Sequence, residues 1–236
     1  MPTSADHPGQ APTHREVGIL LSRGGLDRVR ARLHARLAHD LNGRASTLLA
    51  VHDLLEEGPS EDALHYLEAE VESIERLVKI LRALPAEAGG EGEAMIPGET
   101  AEEAARLAAR QRGFEGVPCA VEAGPEVAPV LAGRTRLIAA LLLLIAAAQE
   151  PWMNREAPGP VVVGLSEEPG VVVFTVRGPP PPGDGASDGP DGAEGLDAEA
   201  LEALDAVLRL DGGGAVRLAD GTLAARVQTL AAGRGR

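Results

Sequence analysis

The chain has 236 residues, of which 44% are hydrophobic, enough for a core of its own. Aromatics make up only 2% and the formal net charge is −14, which excludes a base-stacking platform and argues against duplex DNA or an anionic bilayer as partner, because phosphates are bound by clustered cations. Cys119 is the single cysteine, so there is no intrachain disulfide or cysteine-based zinc site, and a buried, inert thiol is expected.

Residues 1–15 lack the apolar segment a signal peptide needs; the stretch 1–21 is expected to be a disordered tail, on a protein expected in the cytoplasm. From 22 to 57, Leu26, Val29, Leu33, Leu37, Leu41, Leu48, Val51 and Leu55 recur at helical spacing, which predicts one long helix. Gly58 and Pro59 end it, and Ser60 with Glu61 and Asp62 provides an N-cap and an acidic first turn. A second helix is expected to residue 84, before Pro85, with Leu64, Leu67, Val71, Ile74, Leu77 or Val78, and Leu81 as its stripe. Two long helices joined by a short turn make a hairpin over 22–85. Its wide apolar face predicts a homodimer in a four-helix bundle, through Leu33, Leu37, Leu41 and Leu48 and their partners in the second helix.

A Gly/Glu-rich linker is expected over 86–98. The region 99–232 then reads as a helix (100–112), a short strand (117–122), a buried helix (134–149) and strands at 161–165 and 171–177. A Pro/Gly/Asp-rich stretch, 178–195, is expected to be a mobile loop. A helix (197–210), a turn at Gly212 to Gly214 and strands around 215–218 and 223–230 close the chain. The apolar run 137–148 is too short to span a bilayer. The fold class expected is α+β, a sandwich of helices on a sheet preceded by the helical hairpin.

A helical wheel separates the six histidines. At about 100° per residue, Leu33, Leu37, Leu41, Leu48 and Leu55 gather opposite His39, which therefore points to solvent. His34 and His52 fall toward the apolar stripe, where a packed or flanking imidazole is expected; His65 is ambiguous, and His7 and His14 lie in the tail. The His39 face carries Arg28, Arg32, Ala35, Arg36, Asn42, Gly43, Ser46 and Ala50. Small residues beside an exposed imidazole admit another protein's active site, and arginines attract an acidic partner or a phosphoryl group. A merely solvated charged face has the same composition.

Ala38-His39-Asp40-Leu41-Asn42, set in the first helix of a long hairpin, resembles the phosphoacceptor box of histidine kinases, and 101–230 resembles their ATP-binding domain. His39 to Gly43 is also similar to the signature of stand-alone phosphotransfer domains, with Asn42 in the lysine place. The resemblance implies that His39 is phosphorylated at a ring nitrogen and that Asp40 orients the imidazole and holds its other N–H. It makes Arg28, Arg32, Arg36, Asn42, Gly43 and Ser46 the docking face. Gly43 stands where kinases that also dephosphorylate carry Asn or Thr, so strong phosphatase activity is not expected. Arg44 takes the place of a common proline, so the helix should run unkinked.

The family's nucleotide site uses asparagines for magnesium, an Asp turn for adenine and a glycine-rich lid. The asparagine places fall on Leu143 and Ala147, the Asp turn is replaced by Gly178 and four prolines, and the lid reads Gly195-Leu196-Asp197-Ala198-Glu199, with acids where polyphosphate would sit. The likeness is thus to dimeric phosphotransferases with a degenerate ATPase-like domain, using no cofactor and no resident metal. It implies a bacterial two-component phosphorelay protein that moves a phosphoryl group through His39 between response-regulator receiver domains, which supply Mg²⁺. An upstream hybrid histidine kinase is a further expected partner. The alternative is a non-catalytic dimeric pseudo-kinase, a scaffold or inhibitor that binds a kinase or a response regulator.

Overall fold

The structure, a computed structural model, describes residues 14–56, 58, 61–83, 92–122, 127–180 and 196–233. In order the elements are α1 (His14–Arg23), α2 (Leu26–Glu56), α3 (Glu61–Ala83), β1 (Glu93–Met95), α4 (Pro97–Ala108), β2 (Cys119–Val121), β3 (Val130–Ala132) and α5 (Arg134–Gln149). A 3-10 turn (Glu150–Trp152) leads to β4 (Val161–Glu168) and β5 (Val171–Arg177), and α6 (Ala198–Arg209), β6 (Gly214–Arg217), β7 (Leu223–Gln228) and a last turn of helix, α7 (Leu230–Gly233), follow.

Five strands form a mixed sheet in the order β2-β4-β5-β7-β6, with β2 parallel to β4 and the other neighbours antiparallel. The apolar residues of β5 and β7 explain this layer: Val172, Phe174 and Val176 are fully buried and pair in register with Val227, Ala225 and Leu223. Helices α4, α5 and α6 pack with one another and with the sheet. Every residue of α5 from Arg136 to Ala147 is buried, as expected of a helix apolar on all sides. By length and composition 134–152 could cross a bilayer, yet most of it lies inside the fold. The α+β class expected from the sequence is therefore what forms. Asp197 caps α6 by accepting from the Ala200 N–H at 2.7 Å. Gly213 is required by a close approach, because a Cβ there would lie 1.9 Å from the Arg226 carbonyl oxygen.

Several boundaries differ from expectation, among them that of the helix expected over 100–112, which is α4 and ends at Ala108. The tail expected over 1–21 ends earlier: residues 1–13 lie outside the described residues, but 14–23 is helix α1, whose Val17 and Leu21 are buried one turn apart in the shared core. The helix expected from 22 begins at Leu26 instead, because Gly25 turns the chain at φ 90°, a conformation glycine adopts without strain. The linker expected over 86–98 is ordered at its end, since β1 pairs antiparallel with β3 and Pro97 opens α4. Of the loop expected over 178–195, residues 181–195 lie outside the described residues.

Candidate functional site

Helix α2 lives in two settings. Its first half lies against the α/β body, with Leu33 and Leu37 at 0% and 4% exposure. The Arg112 N–H donates to the Arg32 carbonyl at 3.4 Å. The Arg32 guanidinium makes two hydrogen bonds to Glu150, at 2.8 and 2.9 Å, and sits 4.9 Å from the centre of the Phe114 ring. One turn on, Arg36 lies 3.2 Å from both Asp40 and Glu115. Glu115 also accepts from the Gly113 N–H. Its carboxyl is held below the ordinary value by the hydrogen bond from its own backbone N–H, then by that from the Gly113 N–H and by Arg36, which together outweigh the opposing effect of burial.

His39 is exposed, with Asn42, Gly43 and Ser46 beside it on the surface. Nothing lies within 4 Å of where a Gly43 Cβ would stand, so this stretch is open. The Ser46 hydroxyl donates to the Asn42 carbonyl, as a helical serine commonly does. The contact the structure gives the Asp40 carboxylate is to Arg36 Nε, along its own helix. The three arginines expected on the docking face divide. Arg28 is exposed, whereas Arg32 and Arg36 spend their charge on Glu150 and Glu115, 118 and 79 residues away in sequence. No local pattern marks those acids, so sequence reading missed them.

The second half of α2 pairs with α3. Arg44 donates to Glu70 at 2.9 Å, and stepping seven residues either way along antiparallel helices sets Leu37 opposite Leu77 and Val51 opposite Ala63. Those four apolar residues are buried. The alternate heptad positions, Leu41, Leu48 and Leu55 on α2 and Leu67, Ile74 and Leu81 on α3, are half-buried or exposed and form an apolar seam open along one side of the hairpin. This corrects the expected association seam, because Leu33 and Leu37 are sealed within the chain itself. Within the single chain His34 and His52, expected as packed or flanking imidazoles, are exposed like His39, as is His65. His39 remains the one opposite Leu41, Leu48 and Leu55, at about 160–200° around the wheel.

The two places that the resemblance gives to magnesium-binding asparagines lie on α5. Leu143 and Ala147 are buried, and Leu143 Cδ1 would be 3.1 Å from a Cβ at Gly24, so the turn between α1 and α2 lies over it. Hydrocarbon at both places offers Mg²⁺ no ligand. Cys119, expected to be buried, is half-buried; desolvation still pushes its thiol up to about 12, which disfavours the reactive thiolate.

No family model and no curated protein matches the chain. Among solved structures it is similar to the Acinetobacter baumannii histidine kinase AdeS, at 18% identity and a TM-score of 0.41, over 81% of this chain and 98% of that one. It is similar also to a histidine kinase from Burkholderia phymatum, at 18% identity and a TM-score of 0.45, over 86% and 97% of the two chains. A bacterial phosphotransferase is matched at 18% identity and a TM-score of 0.37, over 85% of this chain and 96% of that one.

Proposed function

We propose that the chain is a histidine phosphotransfer protein of a two-component phosphorelay, a homodimer that carries a phosphoryl group on His39 and does not use ATP. The observation that carries the reading is the surface around His39: an exposed imidazole opposite the apolar seam, bordered by Asn42, Gly43 and Ser46, which leave room for a second active site. An unprotonated ring nitrogen attacks the phosphorus of a receiver's acyl phosphate. A P–N bond forms, the P–O bond to the receiver's aspartate breaks, and the carboxylate leaves with the electron pair. The receiver's own Mg²⁺ offsets the charge on the transferring group. Transfer to a second receiver reverses these steps. Arg28 steers the acidic receiver toward the helix, an effect on encounter rate more than on affinity.

The test is to mix the protein with a phosphorylated receiver and look for acid-labile phosphate. His39→Gln is expected to abolish labelling while receiver binding persists; a variant still labelled would place the acceptor elsewhere. A second reading, a pseudo-kinase scaffold that binds a kinase or regulator without chemistry, is favoured by one observation. Asp40 is engaged by Arg36 rather than by the imidazole, so His39 lacks the orienting acid. Receiver binding with no labelling of the wild-type chain would decide for the scaffold.

A further inference from the structure

The core positions of the hairpin are apolar except for one layer, Arg44 with Glu70. That layer is incompletely satisfied in a single chain: Glu70 is 8% exposed and its Oε1 accepts from Arg44, but its buried Oε2 has no hydrogen-bond partner. The Arg44 side chain is 43% exposed, on a hairpin whose apolar seam runs open above and below the layer.

We infer that this ionic layer determines which chain the hairpin pairs with and in what register, the occupant of the open seam being a second copy. The inference rests on the homodimer proposed above. Two copies related by a two-fold axis bring two arginines and two glutamates to one level, and the second copy's arginine at position 44 supplies the donor that Glu70 lacks. A layer of two cations and two anions is neutral and self-complementary. A purely apolar hairpin docked on the same seam leaves the pair without that added donor, and a shift of one heptad sets Arg44 against an apolar layer, Leu37 with Leu77 or Val51 with Ala63. One polar layer in an otherwise apolar bundle selects register and partner in this way, at some cost in stability.

The test is subunit exchange between differently tagged chains, read by co-purification and mass. Two tagged wild-type chains should mix freely. The charge-swapped variant Arg44→Glu with Glu70→Arg keeps a pair within each chain and should form its own dimer. In a mixed dimer, however, the arginine introduced at position 70 faces Arg44 of the wild-type chain, so exchange with wild type should fall roughly a hundredfold or more, the scale expected of a broken buried pair. Arg44→Leu with Glu70→Leu should remain folded but populate more than one oligomer or register. Free mixing of the swapped variant with wild type, or a single well-defined species from the double leucine variant, would overturn the layer's role while leaving the homodimer standing. A monomeric wild-type chain at micromolar concentration would overturn the homodimer and this inference with it.

Discussion

Removing Arg32 should loosen the joint between α2 and the α/β body. Its side chain is 17% exposed and that of Glu150 30%, so neither charge is well screened by water. A hydrogen bond to a charged group contributes about 1.5–3 kcal/mol, and a guanidinium over an aromatic face adds about 0.5–1 kcal/mol. Because Glu150 keeps some access to water once its partner is gone, Arg32→Ala should cost about 2–4 kcal/mol. At about 2–4 °C per kcal/mol for a chain of this size, the melting temperature should fall by roughly 5–15 °C. Arg32→Lys should recover only part, since an ammonium cannot make both bonds to the carboxylate or stack flat on Phe114. The assay is denaturant unfolding of Arg32→Met, Glu150→Gln and the double variant. A coupling energy of about 1.5–3 kcal/mol is expected, and one below about 0.5 kcal/mol, the range of exposed pairs, would refute the reasoning.

MgATP at millimolar concentration should leave the melting temperature unchanged, because Leu143 and Ala147 offer no ligand to the metal; a rise of several degrees would count against the proposal that the chain does not use ATP. Gly43→Leu should keep or raise helix stability, as space is open there and leucine is the better helix former, yet slow phosphoryl transfer at least tenfold; transfer at the normal rate would put the receiver on another face. Since the Glu115 pKa is lower folded than unfolded, the stability it adds is complete above its ordinary value of 4.5 and is lost as pH falls through the lower folded value. Glu115→Gln should therefore flatten the acid limb of the stability curve below pH 4.5, which pH-dependent urea unfolding would detect.

The long elements were legible because their periodicity runs for many residues. Helix α5, strands β4 and β5 and the hairpin all lie close to where the apolar pattern sets them. Strands β1 and β3 have three residues each, too few for an alternation to stand out, and they exist because they pair with each other. Helix α1 was hidden by its neighbourhood: a polar, proline-bearing start precedes it, and its anchor is short, Val17 and Leu21 with half-buried Leu20. The site was half legible. His39 and its small neighbours follow from the wheel, but the fates of Arg32 and Arg36 depend on Glu150 and Glu115, brought near by the fold alone. The four exposed histidines show the same limit, since a wheel finds the apolar side of a helix without telling which part of it one chain can cover.

Helix α2, 31 residues long and about 46 Å from end to end at 1.5 Å per residue, belongs to two cooperative units at once. Its amides near Val29, Leu33 and Leu37 sit in the common core and should exchange with deuterium only on global opening. Those from Leu41 onward are supported by one neighbouring helix and should exchange through local fraying. Deuterium uptake along this one element is thus a built-in gauge: its near end reports folding of the whole chain, and its far end reports whether the hairpin has found company.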